Sequence, residues 1–195
     1  MLWLRWVLVL CLACPAYAAD SNGQFAIKGA GLQTCSALLH SWDNKTNDLA
    51  LYAGWIDGYL TGMNQHFDDT FDAAPWQTPQ TLLGLSRELC RNRDGNEKFM
   101  NVFNDLMRDL LPLRLTTKSN ATGLSNGSSA LVLYTETIAQ IEQRLTSLGY
   151  NPGKVDGVYD EQSRKALEGF QSAREIEITG IPDQQTLFAL FTSPQ

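Results

Sequence analysis

The chain is poor in histidine and in positive charge, and both shortages exclude classes of function. Its 195 residues include two histidines, His40 and His66, and neither lies in a ligand-spaced motif. A zinc peptidase needs several histidine and carboxylate ligands close together, so we predict no metal site and no cofactor. The 15 lysines and arginines are outnumbered by 21 aspartates and glutamates. A basic stripe is missing, and we therefore do not expect nucleic acid as a partner.

The sequence also lacks the usual catalytic motifs of hydrolases. It has no Ser-x-x-Lys pair of the penicillin-binding type. A cysteine nucleophile needs a histidine nearby, but Cys35 and Cys90 are better explained by pairing with each other. Glu88 and Glu97 are the remaining candidates for a glycosidase pair, and glutamates on helices are usually solvated. We predict that there are no catalytic residues and that the protein is not an enzyme.

Long hydrophobic runs are missing too, and the longest apolar stretch lies at the N-terminus. Arg5 precedes the apolar residues 6–13, and Ala16-Tyr17-Ala18 forms a small-x-small cleavage site. The run is too short to cross about 30 Å of hydrocarbon. We predict that residues 1–19 are a signal peptide, that the mature protein is periplasmic, and that it has no stable membrane span. A lipoprotein anchored at Cys14 and a retained membrane anchor are the alternatives.

The number and the positions of the cysteines are consistent with export. Cys11 and Cys14 would leave with the signal peptide, so the mature chain keeps Cys35 and Cys90. An even pair in an oxidising compartment predicts one disulfide. Two buried thiols are the alternative.

A polar segment predicts two domains. Residues 114–133 are rich in threonine, serine, asparagine and glycine, which is typical of a flexible linker. The segment separates a helical domain at residues 20–113 from a second domain at residues 134–192. We therefore expect two modules joined by a flexible connection.

Apolar periodicity and capping signals predict four helices in the first domain, and thus an all-α, disulfide-linked four-helix bundle. The predicted helices are residues 32–39, a long helix capped by Asn47, a helix that starts at Thr78-Pro79, and a helix that begins at Asn96 and ends before Pro112.

Small residues recur every four positions along the predicted long helix, at Ala50, Gly54, Gly58 and Gly62. This spacing places them on one side of the helix. Tight packing against a neighbouring helix is one interpretation. The other is a flat contact surface for a partner, formed by Gly54, Gly58, Tyr59 and Gly62.

Three further helices are predicted in the second domain. Ile138, Ile141, Leu145 and Leu148 fall on one helical face, and Gly149 follows them as a C-terminal cap. The second of these helices is predicted to follow an N-cap at Asp160, and the third to have Pro182 at its first position.

The second domain resembles a known family. The residues that carry the resemblance are the Leu148-Gly149-Tyr150 helix end, the loop Val155-Asp156-Gly157-Val158-Tyr159, and the pair Phe170-Gln171. Their order and spacing resemble the bacterial peptidoglycan-binding module of three helices. The resemblance implies a three-helix fold that anchors a protein to the cell wall.

The resemblance and the chemistry of the side chains suggest a binding site for peptidoglycan. The candidate residues are Asp156, Gly157, Tyr159, Arg144, Arg164 and Gln171. Tyr159 could stack on a sugar or a peptide. Arg144 and Arg164 could pair with one carboxylate of a stem peptide.

The first domain carries a shorter resemblance. Gly58-Tyr59-Leu60-Thr61-Gly62, between two cysteines in a small exported helical domain, resembles the Tai-type immunity proteins. The layout is also similar to the acid-stress chaperones of the HdeA type. Both resemblances imply a binding domain.

We therefore expect an exported, non-enzymatic protein that binds peptidoglycan and presents a helical binding domain in the periplasm. One alternative is an immunity or inhibitor protein against a wall-targeting type VI effector. The other is a small peptidoglycan hydrolase or a hydrolase activator. A periplasmic protein or effector is the expected second partner.

Overall fold

The computed structural model describes residue 20 and residues 22–193, so the predicted signal peptide lies outside the described part. Within that part the chain forms seven α-helices, two short 3-10 helices and one two-stranded antiparallel sheet. The protein is mostly helical, as predicted, although the all-α class omitted the sheet. Among the described residues, no helix is both long enough and apolar enough to cross a membrane.

The helices and strands follow one another along the chain with these bounds. The first four helices are α1 (Cys35–Asp43), α2 (Asp48–His66), α3 (Pro79–Arg91) and α4 (Phe99–Leu110). The later elements are β1 (Ala121–Ser125), β2 (Ala130–Tyr134), α5 (Thr135–Ser147), α6 (Glu161–Ala173) and α7 (Gln184–Thr192). The 3-10 helices are Gly29–Leu32, before α1, and Leu111–Leu113, after α4.

Three predicted capping signals are confirmed. The Thr78 hydroxyl accepts a hydrogen bond from the backbone N–H of Thr81, and proline follows it at the first position of α3. The Asp160 carboxylate accepts from two backbone N–H groups in the first turn of α6. Gly149 follows α5 with a φ of 87°, the left-handed conformation that glycine adopts at low cost.

Three predicted helix starts are wrong. Asn96 and Glu97 lie in a turn, in which the Glu97 N–H donates to the Asp94 carbonyl, and Lys98 forms an antiparallel bridge with Thr34, so α4 begins at Phe99. The same contact delays α1 to Cys35. Pro182 lies outside α7, because Asp183 is the N-cap and its carboxylate accepts the N–H of Thr186.

The predicted flexible linker contains a β-hairpin. β1 and β2 pair from Ala121 opposite Tyr134 to Ser125 opposite Ala130. The side-chain amide oxygen of Asn126 accepts the N–H groups of residues 128 and 129 and closes the turn. Leu124 and Leu133 are buried in the core of the C-terminal helices. The polar composition that indicated a linker belongs to the turn and to the exposed positions of the strands.

The first hydrophobic core lies among α1–α4. Tyr52, Trp55, Phe99 and Phe103 form a set of edge-to-face and tilted aromatic contacts with centroid separations of 5.0 to 5.9 Å. The predicted disulfide between Cys35 and Cys90 is confirmed and joins the start of α1 to the end of α3 across 55 residues of sequence. Closing a loop of that length restricts the unfolded chain and stabilises the fold by about 4 kcal/mol.

The second hydrophobic core lies among α5, α6, α7 and the hairpin. Its fully buried members are Ile138, Ile141, Leu145, Leu167, Phe170, Leu187 and Leu190. Because the apolar faces of three short helices converge there, the C-terminal helices form one small body.

Trp76 joins the two halves of the chain. It precedes α3, yet its side chain is 5% exposed and belongs to the second core. Its indole stacks on the Phe191 ring with centroids 5.7 Å apart and planes inclined by 20°. Gln184 at the start of α7 donates from its side-chain amide to the Trp76 carbonyl and accepts from the Thr78 N–H at 3.2 Å. The two halves are therefore docked against each other.

We predict that Trp76→Ala loosens the C-terminal helices, although Trp76 lies outside them. Truncation of a buried tryptophan typically costs about 3–5 kcal/mol. Amide hydrogen exchange in α7 should become faster in this variant. Trp42→Ala, within the first core, is the matched control and should leave exchange in α7 unchanged. Equal exchange in α7 for the wild type and Trp76→Ala would contradict the docking.

Candidate functional site

A buried carboxylate holds the loop that follows α5. Glu142 has no exposed surface. One of its oxygens accepts the backbone N–H groups of Asp156 at 3.1 Å and Gly157 at 3.0 Å. The other accepts the Ser163 hydroxyl at 2.7 Å. Three donors thus offset the cost of burying this group and tie α5, the loop and α6 together.

Glu142 was not among the predicted site residues, although the sequence carries a signal for it. Ile138, Ile141 and Leu145 define the buried face of α5, and Glu142 follows Ile141 by one residue at i+4 from Ile138. A glutamate at that position of a helix faces the core. A charged residue there needs internal hydrogen-bond donors, and the neighbouring loop supplies them.

Asp156 and Gly157 shape the loop. The Asp156 carboxylate accepts the N–H of Val158 at 3.1 Å and forms a local turn. Gly157 has a φ of 75°, and a Cβ there would lie 2.5 Å from the Thr135 carbonyl oxygen. The requirement for glycine is therefore structural, and the exposed Asp156 is the member of the pair whose side chain solvent can reach.

Tyr159 and Gln171 fix the segment before α7. The Tyr159 hydroxyl donates to the Gly180 carbonyl at 3.0 Å, and burial raises its pKa above the ordinary value. Gln171 is completely buried, and its amide donates to the Ile181 carbonyl and accepts the N–H groups of Thr179 and Gly180. The structure thus places the predicted Gln171 contact inside the core, where a wall polymer cannot reach it.

A groove of about 290 Å³ lies between β1 and the start of α6. Tyr159, Asp160, Glu161 and Arg164 line it on the α6 side. Arg164 donates to Glu161 at 2.6 Å and also contacts Glu168. These hydrogen bonds lower the pKa of Glu161 and raise that of Arg164. The predicted residues Tyr159 and Arg164 both line this groove, but the Arg164 guanidinium is already paired with the carboxylates of Glu161 and Glu168.

Arg144 lies elsewhere. Its guanidinium donates to the Leu190 carbonyl at 3.0 Å and to the Ser193 carbonyl, both at the end of α7. It lines a second groove of about 570 Å³, together with Pro112, Leu113 and Phe191. Because Arg144 and Arg164 line different grooves, the shared carboxylate site that we predicted for them is not formed.

The small residues of α2 face solvent. Gly54 and Gly58 are exposed, and a Cβ at Gly54, Gly58 or Gly62 would meet no atom of the described residues within 4 Å. Tight packing against a neighbouring helix is therefore the wrong interpretation of the stripe. Tyr59 does not share this face, since its hydroxyl donates to Asn104 and its ring packs on Phe103 at 5.3 Å.

An apolar groove of about 860 Å³ lies beside α2, between that helix and α1. Tyr52 and Trp55 contribute aromatic surface, and Leu51 is 67% exposed at its edge. His40 contributes an imidazole and Asp48 a carboxylate to its lining. Leu51, Gly54 and Gly58 occupy one side of α2, so the exposed face and the groove are continuous.

The two glutamates considered for catalysis lie in ion pairs at the surface of the first half. Glu88 contacts Arg87 at 2.8 Å and Arg91 at 3.2 Å. Glu97 contacts Arg93 at 3.0 Å, and the same arginine contacts Asp105. Each carboxylate thus has a positively charged partner.

Comparison with known proteins found a match for the C-terminal helices. Residues 135–190 match the model of a family described as a putative peptidoglycan binding domain. The C-terminal resemblance is confirmed. No curated protein and no solved structure matches the chain. The resemblances of the first half to the Tai-type and HdeA-type proteins have no support from these comparisons.

The matched span begins at the first residue of α5 and extends into α7. It excludes the β-hairpin and Trp76, although both contribute side chains to the second core. The helices of the matched span therefore pack against two features from outside it, the hairpin and Trp76. Strand β1 of the hairpin forms a wall of the groove beside Tyr159.

We predict that Glu142→Gln destabilises the C-terminal helices by about 2–3 kcal/mol, because an amide nitrogen would replace an acceptor of buried N–H or O–H donors. Urea unfolding measured by circular dichroism would give the free energy. Glu136→Gln, on the exposed first turn of the same helix, is the matched control and should change stability by under about 0.5 kcal/mol. Equal stability of the two variants would show that the Glu142 network is dispensable.

Proposed function

We propose that this protein is exported to the periplasm, binds peptidoglycan through its C-terminal domain and presents a helical binding domain there without catalysing a reaction. The observation that carries the proposal is the family match over residues 135–190, which coincides with a folded three-helix body. The apolar N-terminal run and the small-x-small cleavage site support export. The confirmed disulfide is consistent with an oxidising compartment.

Binding through general charge attraction does not fit the composition. The formal net charge is −6 at pH 7, and wall polymers are commonly anionic. Long-range electrostatics would therefore oppose association, and most strongly at low salt. Contacts within a groove must supply the affinity, so moderate salt should leave binding intact or strengthen it.

The docking of the two halves limits how the helical domain is presented. Trp76 and Gln184 connect the start of α3 to α7. Leu115, after α4, pairs through its backbone with Asp72, before α3. The polar segment is therefore held at its start, and the two halves also contact each other directly. We infer that the first half is carried at a fixed position relative to the wall-binding surface.

We expect the full mature chain to sediment with purified sacculi at low and at moderate salt. Binding that survives the increase in salt would distinguish contacts in a groove from charge attraction. Insoluble cellulose is the matched polymer, because it lacks both the peptides and the acetamido groups, and it should leave the protein in solution. Protein that stays in the supernatant with sacculi at both salt concentrations would refute wall binding.

The exposed glycine face favours a second role, in which the first half binds a protein partner as an immunity or inhibitor protein would. Glycine inside a helix costs about 0.5–1 kcal/mol relative to alanine. At Gly54 and Gly58 no packing contact of the described residues offsets that cost. A flat surface with few side chains would allow a partner backbone to approach closely.

This role predicts opposite effects on stability and on binding. Gly58→Gln should raise the free energy of unfolding by up to about 1 kcal/mol, because it improves helix propensity on an open surface. The same change should abolish protection of cells that make a wall-degrading effector in their periplasm. Asn101→Gln, exposed on α4, is the control and should keep protection. Full protection by Gly58→Gln, or none by the wild type, would count against the role.

A further inference from the structure

We propose that the apolar groove between α1 and α2 is a binding site for a small amphiphilic amine, a molecule that joins a protonated amino group to an apolar body. We name it the α1–α2 groove and define it by Ala37, Ser41, Asp48, Tyr52 and Trp55. Its volume of about 860 Å³ lies within the range of small-molecule sites, which is about 300–1,000 Å³. The inference goes beyond the proposed function, since it requires no contact with the wall or with a partner protein.

The wall that Trp55 forms is fixed before a ligand arrives. The indole N–H donates to the Lys28 carbonyl at 2.8 Å, and the indole stacks on the Tyr59 ring with centroids 5.1 Å apart. Gly31 packs so closely that a Cβ there would lie 2.6 Å from the indole ring. An aromatic side chain held on several sides loses little conformational entropy on binding. The apolar body of a ligand can therefore pack on Trp55 at a low entropic cost.

Two hydroxyl groups in the groove have no hydrogen-bond partner among the described residues. Tyr52 on α2 is 2% exposed and Ser41 on α1 is 5% exposed, and both residues line the groove. Each hydroxyl oxygen still has accessible surface, so a molecule in the groove can reach it. Most polar groups on buried side chains are hydrogen-bonded, because an unpaired one is costly. The two hydroxyls therefore point to a polar group of a ligand as their partner.

The charge in the groove favours a cation. Asp48 contributes a carboxylate, and none of the described residues that line the groove is a lysine or an arginine. Asp48 takes part in none of the ion pairs among the described residues. Tyr52 follows it by one turn of α2, and burial together with the nearby Asp48 charge raises the pKa of Tyr52 to about 12. A carboxylate beside a hydroxyl that stays neutral attracts an ammonium group and repels an anion.

The His40 imidazole at the groove does not oppose a cation. The Asn44 side-chain amide donates to the His40 carbonyl at 2.8 Å, and the same nitrogen lies 3.3 Å from Nδ1 of the His40 ring. Because an amide nitrogen can donate but not accept, Nδ1 accepts this hydrogen bond and the imidazole carries no charge. An ammonium group has three N–H donors. The acceptors that the groove offers to it are the Asp48 carboxylate and the hydroxyl oxygens of Tyr52 and Ser41.

The size of the groove favours a small molecule over a side chain of a partner protein. A lysine side chain has the required chemistry but would fill only a small part of about 860 Å³. A larger apolar body attached to the amino group would also cover Trp55 and the exposed Leu51. Removal of that apolar surface from water supplies affinity, and the amino group supplies selectivity.

The test is an NMR titration of the full mature chain with three matched compounds. On the same apolar body, 4-phenylbutylamine carries an ammonium group, 4-phenylbutanol a neutral hydroxyl and 4-phenylbutyrate a carboxylate. We expect the amine to bind most tightly and to shift the amide signals of α1 and of the start of α2, and the indole N–H signal of Trp55. Butylamine lacks the aromatic body and should not bind. Equal affinity for the amine and the butyrate, no binding of the amine, or shifts confined to other parts of the protein would overturn the proposal.

Two tyrosine variants separate recognition from a structural role. Tyr52→Phe removes an unpartnered hydroxyl, so the dissociation constant of 4-phenylbutylamine should rise roughly tenfold while the unfolding midpoint stays equal or rises. Tyr59→Phe removes a hydroxyl that donates to Asn104 outside the groove, so it should lower the midpoint and leave binding unchanged. Wild-type affinity in Tyr52→Phe, or weaker binding that follows from a lowered midpoint, would contradict the α1–α2 groove.

Two aspartate variants test the role of the charge. Asp48→Asn keeps the shape of the side chain, so 4-phenylbutylamine should bind roughly tenfold more weakly and no better than 4-phenylbutanol. Asp57→Asn removes an equal charge from an exposed position of α2 outside the groove, and it should keep the preference for the amine. Loss of the preference in Asp48→Asn alone would support the site. Loss in both variants would indicate attraction to the net charge of the protein and would overturn it.

Discussion

Trp76 comes from the segment before α3, and its side chain completes the core of helices that begin 59 residues later, at Thr135. This burial is the constraint on which the arrangement of the two halves depends. The indole stacks on Phe191, and the Gln184 side-chain amide donates to the Trp76 carbonyl and accepts the Thr78 N–H. A small three-helix domain buries a modest share of its surface, so one large side chain from outside is a substantial part of its core.

The same docking also forms a groove between the two halves. Pro112 and Leu113 belong to the first half, whereas Gln140 and Phe191 belong to the second, so this groove of about 570 Å³ lies where the halves meet. The loop that the family resemblance highlights has a different role. The Glu142 carboxylate accepts hydrogen bonds from the loop backbone, and Gly157 leaves room for the Thr135 carbonyl. Both residues therefore hold the helices together. Residues typical of the family pattern therefore serve the fold in this protein.

The first half offers a surface of another kind. Gly58 lies on an exposed side of α2, continuous with an apolar groove that contains Trp55. Natural helices rarely keep glycine in their interior without a reason in packing or contact, because alanine is more stable there. If both surfaces are used, one protein would hold a partner at a fixed place on the wall.

Local chemistry was readable from the sequence. Thr78 and Asp160 cap helices because the oxygens of their short side chains reach nearby backbone N–H groups. The spacing of apolar residues predicted which face of each helix is buried. Both signals act within a few residues of sequence. The pairing of Cys35 with Cys90 was expected because they are the two cysteines that follow the predicted signal peptide. Tertiary structure decided the rest. The hairpin, the burial of Trp76 and the separation of Arg144 from Arg164 all depend on which surfaces meet across long stretches of chain. Periodicity within a single element carries no information about those meetings.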